Sequence, residues 1–141
     1  MAQIQRPTGA FVAASWAALA IGMLVFCWAL WRAEMQLNEK GYYLTLLLYG
    51  LFAAVSLQKG VRDRMENIPV TGIYYNLCWF SIVICAVLLA VGLWNAKMLP
   101  SEKGFYAIAF LLALFGAVAV QKNVRDIALA DSGGRVRGAE E

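Results

Sequence analysis

The chain has 141 residues, of which 62% are apolar and 15% charged, with a net charge of +3, three cysteines and no histidine. Soluble domains run at about 45–50% apolar and about 25% charged, so this composition argues against a water-exposed globule. The absence of histidine and of paired cysteine spacing argues against a zinc site, and no Lys/Arg-rich run with interleaved aromatics points to nucleic acid.

The charges lie in short clusters, and the stretches between them are long enough to cross a bilayer, which takes roughly 20 apolar residues in a helix. The first stretch, Pro7 to Trp31, carries no ionisable charge and exceeds that length. Thr8 is placed to cap its helix after Pro7. The apolar run Ala10–Trp31 is longer than a signal-peptide core, so it reads as a retained helix. A polar hairpin over Arg32–Asn38 follows, with Asn38 as expected N-cap and Glu39, Lys40 and Gly41 opening the next helix. Glu39 complements the positive end of the helix dipole there. The second stretch, Gly41–Gln58, is near the lower length limit for a span and ends in Gln58-Lys59-Gly60-Val61-Arg62-Asp63.

Pro69 and Thr71 introduce the third helix within Asn67–Ala96, the longest stretch without a charge. A second hairpin, Asn95–Ser101, contains Pro100, with Ser101 as expected N-cap and Glu102, Lys103 and Gly104 after it. The fourth stretch, Gly104–Gln121, matches the second in length and ends in Gln121-Lys122-Asn123-Val124-Arg125-Asp126. Residues 127–141 carry no apolar stripe and are expected to form a mobile cytoplasmic tail. The i,i+4 pairs Lys59–Asp63 and Lys122–Asp126 are expected on exposed faces, each worth at most about a few tenths of a kcal/mol.

A shift of 63 residues aligns Leu30–Asp63 with Leu93–Asp126 without a gap, and Thr8-Gly9 and Trp16 with Thr71-Gly72 and Trp79. The chain is therefore a tandem duplication of a two-helix unit, residues 8–63 and 71–126. Two helices per unit is an even number, so both copies enter the membrane from the same side. The fold class is an all-α membrane protein: four transmembrane helices from two parallel helix-hairpin repeats, with a pseudo-twofold axis along the membrane normal. Lys and Arg number eight on the side of the termini and central loop and four on the hairpin side, which predicts cytoplasmic termini. Small residues at four-residue spacing (Ala14, Ala18 and Gly22; Gly50 and Ala54; Ala86 and Ala90; Ala109, Ala113 and Ala117) predict close helix packing. Tyr42, Tyr43, Tyr106, Trp31 and Trp94 fit an interfacial aromatic belt.

The paired Asn-Glu-Lys-Gly-Tyr-Tyr and Ser-Glu-Lys-Gly-Phe-Tyr hairpins, with the repeated Gln-Lys-x-Val-Arg-Asp ends, resemble the YiaA/YiaB inner-membrane family. The resemblance covers Thr8 to Asp126. It implies a bacterial inner-membrane protein of four helices and supplies no reaction.

No acid or base falls in the middle of a span, which counts against a proton-coupled pump. Ser15, Thr45, Tyr49, Ser56, Asn76 and Ser81 are expected to bond a neighbouring helix or their own backbone. Cys27, Cys78 and Cys85 read as small buried hydrophobes. The two Gln-Lys-x-Val-Arg-Asp ends, Gln58, Lys59, Arg62 and Asp63 with Gln121, Lys122, Arg125 and Asp126, offer a site for lipid headgroups, an anion or a partner. The competing reading is that their cations snorkel and set helix depth. Glu39 and Glu102 invite a paired-carboxylate reading, but a helix-start role explains each one alone. The expected function is non-catalytic, without cofactor or metal: packing, envelope maintenance or partner binding, through membrane lipid, self-association or another membrane protein. The alternative is a small channel, carrier or lipid-handling protein.

Overall fold

The computed structural model describes residues 6–140, with the side chains of residues 136, 137 and 140 left aside. It consists of four helices, α1 Gly9–Arg32, α2 Leu37–Met65, α3 Gly72–Asn95 and α4 Pro100–Glu140. All four are long and apolar enough to cross a membrane. The duplication is visible in their bounds, because α1 and α3 begin and end at positions 63 apart, as do the starts of α2 and α4.

Local chemistry sets most of these bounds. Thr8 and Thr71 cap α1 and α3 as expected, each accepting a hydrogen bond from the amide three residues on, at Phe11 (3.2 Å) and Tyr74 (3.3 Å). The second helices start earlier than expected. Asn38 and Ser101 are not N-caps but sit one residue inside α2 and α4, and the α2 cap is Gln36, which makes no side-chain capping bond. For α4 the physical reason is Pro100, whose fixed φ and missing N–H suit the first position of a helix; α2 starts at the equivalent Leu37 without that device. Glu39 and Glu102 remain in the first turns.

Lys40, Gly41, Lys103 and Gly104 follow within the same helices. The lysines instead reach back to the preceding helix. Lys40 Nζ donates to the Trp31 carbonyl (3.1 Å) and Lys103 Nζ to the Trp94 carbonyl (3.2 Å). Each satisfies a carbonyl left open by the end of α1 or α3.

At the other end, α2 closes in a Schellman motif. The Asn67 amide donates to the Arg64 carbonyl (3.2 Å) and the Ile68 amide to the Asp63 carbonyl (2.8 Å), with Asn67 in the left-handed region at φ 60°. Residues 127–140 continue α4 as helix, with Asp131 paired to Arg6 at 2.7 Å, and Glu141 lies outside the described residues.

The repeats interlock. α1 packs chiefly along α4 and α3 along α2, α2 and α4 meet at the centre, and the two helices of one repeat have little contact with each other. The closest approach is between α1 and α4. A Cβ on Gly22 would lie 2.5 Å from the Ala113 nitrogen, and one on Gly116 would strike the Leu19 backbone. Of the predicted small-residue faces, Ala54, Ala109, Ala113 and Ala117 are buried, whereas Ala14, Ala86 and Ala90 are exposed. The core of the hairpin-side half is aromatic and aliphatic, built from Phe26, Leu47, Phe110, Leu89 and Leu93 around Tyr43 and Tyr106. Tyr43 and Tyr106 therefore leave the predicted aromatic belt, while Trp31 and Trp94 stay on the outside.

Candidate functional site

The two ends of the bundle carry different chemistry. At the end of the termini, α2 and α4 bring the two Gln-Lys-x-Val-Arg-Asp segments together across the pseudo-twofold axis. Arg62 binds Asp126 of the other repeat, and Arg125 binds Asp63 (2.6 Å). Within each helix, Lys59 reaches Asp63 (2.9 Å) and Lys122 reaches Asp126 (2.8 Å). Glu66, at the end of α2, accepts from both arginines, at 2.7 Å from Arg62 Nε and 2.7 Å from Arg125.

The aspartates are buried, so the expectation of exposed, weak i,i+4 pairs is corrected. Each carboxylate answers a lysine on its own helix and an arginine on the other repeat. The arginines, expected as a basic site, face these carboxylates, and four cations meet three carboxylates in the cluster. Hydrogen bonds from Arg62 and then Arg125 hold the Glu66 carboxyl below its ordinary range, against the opposing effect of burial. Gln58 and Gln121 are half-buried and take no part in these bonds. The spacing within each segment was legible, but the cross-repeat pairing follows from helix packing alone, and Glu66 has a leucine, Leu129, as its counterpart.

Asn123 was not singled out from sequence. It is buried in the α1–α4 contact, donating to Ser15 Oγ at 3.0 Å, and its own Oδ1 is unpartnered among the described residues. Ser15 also donates to the Phe11 carbonyl (2.8 Å). The signal was the one polar residue among the "x" positions of the repeated motif, where the first copy has Gly60. Tyr49 Oη donates to Ser81 Oγ at 2.6 Å, linking α2 to α3 as expected of the mid-span polar groups.

At the hairpin end, the two hairpins and the starts of α2 and α4 surround a cavity of about 1590 Å³. Asn38, Glu39, Ser101 and Glu102 stand on its walls, Met35 and Met98 contribute one side chain from each hairpin, and Tyr42, Tyr43, Phe105 and Tyr106 line it toward the core. The four rings form a continuous array. Tyr42 lies edge-on to Tyr43 (5.3 Å), Tyr43 is stacked on Tyr106 (6.3 Å, 21°), and Phe105 lies edge-on to Tyr106 (6.1 Å). Of the residues predicted around the hairpins, Asn38, Glu39, Ser101 and Glu102 converge on this cavity, whereas Lys40, Gly41, Lys103 and Gly104 do not line it.

Four membrane-length helices, a twofold arrangement of hairpins and an ionic cluster at one end define a multi-pass membrane protein built from a tandem two-helix repeat. The description "yiaA/B two helix domain" matches the chain twice, over residues 11–63 and 74–126, and the chain belongs to that inner-membrane family. It is 58% identical over 124 residues to "Inner membrane protein YiaA" of Escherichia coli strain K12, covering 88% of this chain and 86% of that protein. It is 31% identical over 97 residues to "Inner membrane protein YiaB" of the same organism, covering 68% and 81%. It is also 33% identical over 64 residues to "Uncharacterized membrane protein YubF" of Bacillus subtilis strain 168, covering 45% and 74%. No solved structure matches the chain.

Proposed function

We propose that the chain is a non-catalytic binding protein of the inner membrane, with cytoplasmic termini, whose working surface is the hairpin-end cavity. The carrying observation is that both repeats contribute equivalent residues to one cavity on the twofold axis. Two of the helices around it, α2 and α4, are joined on the opposite side of the bundle by the reciprocal arginine–aspartate pairs. This is an architecture for presenting a fixed concave surface to a ligand or partner. A conduit through the bundle is less well supported, because Phe26, Leu47 and Phe110 fill the space below the cavity.

The test is a photo-cross-linking amino acid placed at Ser101, on the cavity wall, or at Phe52, exposed on the outside of α2. Cells are irradiated and the intact protein is weighed by mass spectrometry. A partner or small-molecule adduct from Ser101, with phospholipid alone from Phe52, is the expected result. Phospholipid alone from both positions counts against a binding role for the cavity. Reporter fusions to the hairpins and the C-terminus check the orientation, and an active cytoplasmic reporter on a hairpin would reverse it.

A further inference from the structure

The cavity has a chemical bias that narrows what it accepts. Three carboxylates line it, Glu34, Glu39 and Glu102, against two cations, Arg32 and Lys97. Arg32 is drawn aside over the Trp28 ring, at 5.1 Å from its centroid. Lys40 and Lys103, next in sequence to the wall glutamates, turn back to the Trp31 and Trp94 carbonyls and form no ion pair with them. No ion pair is made by Glu39 or Glu102 among the described residues.

An independent feature lies deeper. Tyr43 and Tyr106 are each only 5% exposed and line the same cavity. Neither hydroxyl has a hydrogen-bond partner among the described residues, unlike those of Tyr42, which donates to the Leu88 carbonyl, and Tyr49, which donates to Ser81. Neither hydroxyl oxygen is wholly buried, so each opens onto the cavity and is free to meet a ligand or water. Here the two hydroxyls belong to stacked rings flanked by two more aromatic edges. Aromatic faces attract cations through their quadrupoles, and hydroxyl oxygens accept N–H bonds.

We propose that the hairpin-end cavity binds an organic ammonium ion, a protonated alkylamine, with Glu39 and Glu102 meeting its charge and the Tyr43 and Tyr106 hydroxyls accepting its N–H groups. The proposal rests on the reading of the cavity as a binding surface and names its ligand class. The alkyl portion lies among the rings of Tyr42, Tyr43, Phe105 and Tyr106, and an anion of the same size is repelled by the carboxylates.

The experiment is isothermal titration of the full chain in detergent at neutral pH with n-butylammonium chloride, and with sodium butyrate as the anion of similar size. Saturable binding of the amine, at least tenfold tighter than butyrate, is expected. The double variant Glu39→Gln with Glu102→Gln should weaken the amine at least tenfold at unchanged helicity, since both side chains are exposed. The double variant Tyr43→Phe with Tyr106→Phe keeps the rings and should weaken it at least threefold. No amine heat up to millimolar concentrations, butyrate binding as tightly as the amine, or amine affinity within twofold of wild type in either well-folded variant overturns the proposal. If the amine fails to bind while the Ser101 cross-link still captures a ligand or partner, the ammonium class falls and the binding role stands. If both fail, both fall.

Discussion

Where α1 meets α4, Gly22 and Gly116 bring the two backbones into contact, and Asn123 bonds Ser15 across the gap. Where α3 meets α2, the repeat-equivalent positions hold Cys85 and Ala53, with Cys78 and Gly60 in place of Ser15 and Asn123. The helices there are joined instead by tyrosine hydroxyls, Tyr42 to the Leu88 carbonyl (2.6 Å) and Tyr49 to Ser81. Tyr42 and Tyr49 are matched by Phe105 and Leu112 in the second repeat, which lack those hydroxyls. The α2–α3 side also keeps a groove of about 310 Å³ beside Tyr42, Thr45 and Tyr49. Two interfaces related by duplication thus differ in means: the first combines close backbone packing with one side-chain hydrogen bond, and the second relies on tyrosine hydrogen bonds without the close approach. In lipid both are available, because dispersion and interhelical hydrogen bonds take the place of the hydrophobic effect between helices.

The comparison breaks most forcefully at the one feature the two halves share. Arg62→Ala or Arg125→Ala leaves a buried aspartate on the opposite repeat without its arginine. Each aspartate keeps its lysine, so each variant should lower stability by about 1.5–3 kcal/mol, measured by denaturant-dependent loss of helicity in mixed micelles. Comparable losses from the two variants would show that the network couples both interfaces.

The glycine route is tested next. Gly116→Ala forces the α1–α4 backbones apart and should destabilise by about 1–3 kcal/mol. The reverse change at its counterpart, Ala53→Gly, should cost about 1 kcal/mol through helix propensity. A tolerated Gly116→Ala would mean that the close approach is not needed.

The hydrogen-bonding route is weaker. Tyr49→Phe removes the Ser81 contact and should cost about 0.6 kcal/mol, the average found for such bonds in membranes. Ser15→Ala should cost more than Tyr49→Phe, since it strips the already half-satisfied Asn123 of its remaining partner. The same unfolding assay ranks the two.

The smallest effect is expected from pH. Glu66 is held below its unfolded value by the two arginines, so its stabilisation is fully present above the ordinary carboxylate range and is lost as pH falls through the folded value. Glu66→Gln should flatten the acid limb of the stability profile below about pH 4.5. An unchanged acid limb would mean that other carboxylates govern it.

Much of the architecture was legible. The four spans, the 63-residue repeat, the Thr8 and Thr71 caps and the first-turn glutamates depend on the length and local chemistry of short segments, which a sequence displays directly. The misreadings share one cause. Asn38 and Ser101 resemble caps, yet α2 and α4 start at Leu37 and Pro100, one residue before them. Tyr43 and Tyr106 resemble interfacial aromatics, yet the rotation of α2 and α4 turns them inward. Lys59–Asp63 and Lys122–Asp126 resemble solvent pairs, yet the crossing of α2 over α4 buries the acids against the opposite arginines.

Apolar length, charge clustering and internal repetition are properties of the chain taken one helix at a time, and they are sufficient to define a tandem, parallel, four-helix membrane protein. Which helix packs on which is a different matter. Within lipid every face of an apolar helix is acceptable to the solvent, so hydropathy does not select a partner. The choice of α4 for α1 rests on close contacts such as Gly22 against Ala113, that of α2 for α3 on bonds such as Tyr49 to Ser81, and the ionic bonds then join α2 to α4. That choice places Glu39 and Tyr43 around one cavity with Glu102 and Tyr106, and it exists only once the helices have come together.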